Sequence, residues 1–269
     1  MKQTKKALAT MAACTLIGAM AIGGTFAYLT DEEQATNTFT VGKVEIDLQE
    51  PDWDPNHPPV VPNEEVDKDP TVVNTGTNSA YAFVEVQIPM KNVTVAKANG
   101  ERGTTAFQEL FTWGTVSGGE TNWCTNKEKG TADGIYNDWT LIEKNVPTTP
   151  ASDGSKDYAT YIFAYKNPIA PKAVGDSDYT KLTLFDKVKF VNVIEGDVTE
   201  NVDIPVRAYA IQSDSIDTTV TDGKDGDDKL LAIYKVYAEQ NKNDPISVDN
   251  ADSGTLTLGN EAKKGTVTP

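Results

Sequence analysis

The chain has 269 residues, with 24 basic against 40 acidic side chains and a formal net charge of −16. That balance argues against a nucleic-acid partner, which needs a clustered basic footprint, and against an anionic membrane surface. It suits an acidic, soluble surface protein able to collect divalent cations diffusely.

Lys2, Lys5 and Lys6 open the chain, followed by an uncharged, mostly apolar run from Ala7 to Ile22. The run is shorter than the roughly 20 apolar residues a spanning helix needs. Gly23-Gly24 stops it, because glycine is costly inside a helix. Thr25-Phe26-Ala27 is a small-x-small site, so residues 1–27 read as a cleavable secretory signal with the cut between Ala27 and Tyr28. Ala19-Met20-Ala21 is a competing site; an uncleaved anchor and a lipoprotein built on Cys14 are the alternatives. Without the three lysines the mature chain carries 21 basic and 40 acidic residues, net −19. Cys124 is then its only cysteine, which excludes an internal disulfide and leaves either a buried or inert thiol near a loop or a thiol that pairs between chains.

Val41 to Leu48 alternates, with Val44, Ile46 and Leu48 on one face, as a half-buried strand does. Residues 50–70 are rich in proline and acid and read as an extended connection, since proline removes ladder donors. Thr71 to Gly76 reads as a strand entering an Asn/Gly turn. Ala80 to Ile88 alternates most cleanly: Ala82, Val84, Val86 and Ile88 face one side, Tyr81, Phe83, Glu85 and Gln87 the other. From Lys91 to Asn145 the pattern is irregular. A helical turn is expected over Ala106 to Phe111, and strands over Phe111 to Val116 and Asp138 to Ile142. Trp113, Trp123 and Trp139 fall here; a sugar-binding platform is one reading, ordinary sheet packing the simpler one.

Asp157 to Tyr165 carries bulky groups on both faces, as a central strand covered on both sides would. Val188 to Val193 and Val202 to Ile211 complete the strands. Asp222 to Asp228 is an acidic, glycine-rich turn suited to starting a helix; a calcium loop is the weaker reading, because Lys224 falls at a ligand position and no Glu follows at the right distance. Lys229 to Gln240 has Leu230, Ile233, Tyr234 and Tyr237 at helical spacing and reads as an amphipathic helix lying on the sheet. Residues 241–269 read as a mostly disordered tail, in which Gly254 to Gly259 could add a weak edge strand. Short alternating strands, turn residues between them and little helix predict a mainly β fold, a β-sandwich with a few short helices and a C-terminal helix. The expected domain runs over 28–240.

The search for chemistry returns little. His57 is the only histidine and lies in the loop Asn56-His57-Pro58-Pro59. That excludes an H-E-x-x-H zinc site, which needs two histidines on one helix face. No phosphate loop, dinucleotide fingerprint or paired-cysteine zinc site is present. No catalytic residue, metal ligand or cofactor is assigned.

One resemblance is specific. The run from Gly23 to Leu48, through Gly23, Gly24, Phe26, Ala27, Tyr28, Asp31, Asn37, Phe39, Gly42, Val44 and Ile46, resembles the N-terminus of the TasA/camelysin family. The segments around Asn74 to Gly76 and Leu184 to Val188 are similar to it more weakly. The resemblance implies export through a SipW-type signal peptidase, a secreted or cell-surface location, a jelly-roll-like sandwich and a structural role in extracellular biofilm matrix fibres. It implies self-association as a homopolymer, with other matrix proteins as further partners. By that reading the mature N-terminal strand, with Phe39, Val41, Val44, Ile46 and Leu48 inserted, completes the sheet of the next subunit. Camelysin-type metallopeptidase activity and a monomeric adhesin with an exposed Trp face are the alternatives.

Overall fold

Ala80–Ala96, a strand of 17 residues, is the axis of the fold. The structure, a computed structural model, describes residues 44–54, 56–152, 156–172, 182–196, 198, 202–241 and 255–256. All of these lie in one unit, Gly42–Pro269. In chain order the first strands are β1 (Ile46–Gln49), β2 (Glu65–Asp67), β3 (Thr71–Asn74), β4 (Ala80–Ala96) and β5 (Arg102–Glu109). Next come β6 (Phe111–Ser117), β7 (Glu120–Trp123), β8 (Trp139–Asn145), β9 (Tyr158–Tyr165) and β10 (Leu182–Thr183). The last are β11 (Lys187–Phe190), β12 (Val193–Gly196), β13 (Val202–Asp203), β14 (Val206–Gln212) and β15 (Thr255–Leu256). A short helix α1 (Thr218–Thr221) precedes α2 (Gly226–Asn241).

The large sheet runs β12-β4-β9-β8, with β14 and β5 also paired to β4. Two smaller sheets run β2-β11-β6-β7 and β1-β3-β10. The described pairings among these strands are all antiparallel. The fold is thus mainly β, a β-sandwich. Its core takes Val84, Val86 and Ile88 from β4, Phe163 from β9, and Trp113 and Phe190 from the facing sheet. The opposite face of β4 and β9 offers Phe83, Ile162 and Ala164, and α2 covers it with Leu230 and Ile233. The two faces of β9 are therefore both buried, as its alternation of large side chains predicts.

Pro89 sits inside β4 without breaking it. Up to Gln87, whose N–H donates to Pro205, the outer neighbour is β14; from Met90 it is β5. Proline falls at the changeover, where its missing donor interrupts no ladder.

The expected helical turn at Ala106 to Phe111 is instead strand: β5 ends at Glu109 and β6 begins at Phe111. No residue of β5 is fully buried. It is held by its ladder to β4 and by the Thr94–Thr105 hydroxyl pair at 2.7 Å, with Phe107 alone packed against the core, so no alternation marks it. β4 also continues past Ile88 to Ala96. The predicted strand at Val202 to Ile211 is split around Ile204-Pro205. α2 begins at Gly226, ahead of the predicted Lys229, with Asp227 and Asp228 in its first turn where they complement the dipole. Thr255–Leu256 of the tail pairs with β13.

Candidate functional site

Of the residues expected in the assembly strand, Phe39 and Val41 lie outside the described residues, as do Ala27 and Tyr28 at the cleavage site. Val44 precedes β1; Ile46 packs against the core and Leu48 lies within it. β1 pairs with β3 of its own chain, Ile46 opposite Asn74 and Gln49 opposite Thr71. It is the outer strand of its sheet, with a strand partner on one side among the described residues. Asn74 anchors the following turn: its side-chain oxygen accepts the Gly76 N–H at 3.0 Å, and its amide donates to the Ile169 carbonyl at 2.9 Å.

Directly after β1 the chain enters a buried charged cluster. Glu50 and Lys68 form an ion pair, Nζ to Oε1 2.6 Å, with side chains 1% and 0% exposed. The Trp53 ring lies beside the ammonium, 5.4 Å from Nζ to its centroid. The Trp53 Nε1–H is buried without a hydrogen-bond partner among the described residues. Asp69 accepts the Asp52 N–H at 3.0 Å. Burial pushes the Asp69 carboxyl up to about 6, helped by the charges of Asp52 and Glu50 and opposed by that hydrogen bond. The segment expected to be an extended acidic connection is therefore partly core: Trp53, Val60, Val66, Lys68 and Asp69 are all buried.

The tryptophans do not form an exposed platform. Trp113 and Trp139 are buried, and Trp123 is half-buried with the Lys189 ammonium 5.3 Å from its centroid. Trp113 is packed edge-on to Tyr161 and Phe163, which accounts for it as core. Cys124 is half-buried beside it, and burial pushes its thiol up to about 12.

A peptidase metal needs a set of converging ligands, and the residues do not supply one. The His57 ring lies in its loop with Nδ1 2.6 Å from the Pro58 carbonyl oxygen and Nε2 3.6 Å from Glu64. Among the described residues no three His, Cys, Asp or Glu side chains are grouped to hold a metal ion. Asp225, Asp227 and the glycines around them form a turn and a helix start, not a described cation cage. No described helix is long and apolar enough to cross a membrane.

Residues 2–108 match the family described as camelysin metallo-endopeptidase. The match covers 107 of the chain's 269 residues, and over that stretch the chain is similar to the camelysin family. The camelysin match takes in the N-terminal segment, β1, the Glu50–Lys68 cluster and β2 to β4, and stops one residue short of the end of β5. No curated protein and no solved structure matches the chain. The one histidine of the chain falls inside the matched stretch, but its described surroundings do not fit a metal centre.

The sequence reading missed Glu50, Trp53, Lys68 and Asp69. A signal was available. Leu48 and Glu50 are two apart, as are Val66 and Lys68, and a strand turns every second residue to the same face. Continuing each apolar alternation by one step places both charged side chains inward.

Proposed function

We propose that this chain is an exported structural subunit that self-associates into extracellular matrix fibres, by handing its N-terminal strand to the next subunit. The match to the camelysin family over residues 2–108 supports the class of protein, and the position of β1 supports the route. An outer strand leaves backbone donors and acceptors along one edge, and an added strand satisfies them while alternate side chains fix its register. The segment N-terminal to β1 is the strand that would be exchanged, with Phe39, Val41 and Val44 as its apolar side chains. Head-to-tail exchange of this kind propagates and does not close. The observation that carries the reading is that β1 stands at the sheet margin directly downstream of that segment.

The test is negative-stain microscopy of the chain beginning at Tyr28, beside the same chain lacking residues 28–39. Ordered filaments are expected from the first, and from the second a folded monomer. Filaments in both overturn the strand-exchange route. The family description favours metallopeptidase activity as the second reading; chelator-sensitive proteolysis lost in His57→Ala decides for it.

A further inference from the structure

Nine other described lysine or arginine pairs with carboxylates can be set beside Glu50 and Lys68, among them Lys127–Glu109, Lys187–Asp67 and Arg207–Glu85. In each, at least one side chain keeps more than a fifth of its surface in water. Glu50 and Lys68 keep none to speak of, at 1% and 0%. Two ions removed from water carry a desolvation penalty of several kcal/mol each. The same two groups are an amine and a carboxyl, held at 2.6 Å in a dry site on one chain. Near-attack geometry is about 3–3.5 Å between reacting atoms, and the Lys68 Nζ, 2.6 Å from Oε1, is held next to the carboxylate carbon to which that oxygen is bonded.

We propose that Glu50 and Lys68 condense into an intramolecular amide, a bond between the Lys68 Nζ and the Glu50 Cδ formed with loss of one water. The step needs no oxidant or cofactor. A proton passes from the ammonium to the carboxylate, giving a neutral amine and a carboxylic acid. The nitrogen lone pair attacks Cδ and forms the N–C bond. The C–O bond to the hydroxyl breaks, and that hydroxyl leaves as water with a proton from the nitrogen. Ammonium and carboxylate become amide and water, and the balance closes.

Three features of the site favour the product. The neutral amide carries none of the desolvation penalty of the ion pair. The reactants are tethered, and well-oriented intramolecular reactions reach effective concentrations of roughly 10⁵–10⁸ M. Trp53 covers the ammonium with its ring and keeps bulk water from the bond once made. The bond would tie the end of β1 to the segment between β2 and β3, closing the loop of 18 residues that holds most of the early prolines.

The test is the intact mass of the purified full chain under denaturing conditions, followed by peptide mapping. The expected mass is one water below that of the sequence, corrected for any N-terminal processing. Trypsin should leave the Lys68–Asp69 bond uncut and yield a branched peptide containing Glu50 and Lys68. Aspartimide at Asp133-Gly134 or Asp222-Gly223 also loses a water, but hydroxylamine reverses it and leaves an amide. Glu50→Gln should lose one ammonia in place of one water, and Lys68→Arg should keep its full mass. A wild-type chain at full mass with Lys68–Asp69 cut overturns the proposal, whether or not the variants fold.

Discussion

The Lys127 ammonium lies over the face of the Trp113 indole, 4.6 Å from its centroid. The same ammonium pairs with Glu109, whose other oxygen accepts the Tyr161 hydroxyl. One lysine thus seals the end of the aromatic core with its charge satisfied on both sides. Lys127→Ala removes the cation–π contact and leaves the Glu109 carboxylate half-buried without its cation. A loss of about 1–3 kcal/mol is expected. Trp113→Ala, which empties a fully buried site, should cost about 3–5 kcal/mol. Urea unfolding followed by far-UV circular dichroism checks both, and equal costs for the two would contradict this packing.

Asp69 sets a pH dependence of definite sign. Its carboxyl is raised from 3.8 to about 6, chiefly by burial. The folded chain therefore holds that proton more tightly than the unfolded chain. The resulting stabilisation is complete below the unfolded value and is lost as pH rises through about 6. Asp69→Asn keeps an acceptor for the Asp52 N–H but cannot ionise. It should flatten the difference in urea midpoint between about pH 4.5 and about pH 7.5 and raise the midpoint at the higher pH. A variant that follows the wild-type profile would show that Asp69 does not set it.

Cys124 is predicted to be inert in the folded chain. Its thiol sits near 12, so little thiolate exists at neutral pH, and thiolate is the reactive form. Iodoacetamide should label it slowly in buffer and fast in urea. Rapid native labelling, or a disulfide-linked dimer on a non-reducing gel, would go against this.

Gly134 packs its backbone on Cys124 at φ +69°, and a Cβ added there would meet the Cys124 backbone nitrogen at 2.8 Å. Neither the left-handed conformation nor the contact tolerates a side chain. The neighbouring Asp133 depends on this approach: burial alone would raise its carboxyl, but hydrogen bonds from Thr125 and Asn126 bring it to about 2. Gly134→Ala should destabilise the chain by at least about 1–3 kcal/mol, the usual cost of such backbone strain, and thermal melting measures it.

Alternation made β4, β9 and β14 legible, because each buries one set of side chains in the sandwich and the other under α2 or beside it. Tyr161 and Phe163 against Ile162 and Ala164 is the clearest case, with each pair in a separate core cluster. β5 escaped because a strand held chiefly by its ladder leaves no apolar period to read. The Glu50–Lys68 cluster escaped for the opposite reason. Proline and acid look like solvated linker, and composition hides the fact that two of the charges continue an inward-facing alternation. The residues expected to exchange between subunits were read from resemblance, and Ile46 and Leu48 are seen paired within one chain.

The long strand at the centre of the sheet also governs when the protein can fold. β4 needs β9 and β14, β3 needs β10, and β2 needs β11, so residues 65–96 find their partners between Tyr158 and Gln212. Contacts this distant in sequence raise the contact order and slow folding. The stretch shared with the camelysin family ends at residue 108, before any of those partners has been made. Of the described pairings, residues up to 108 can form only the β1–β3 pairing and most of the β4–β5 ladder, so the central sheet cannot be completed until residue 212 has been made.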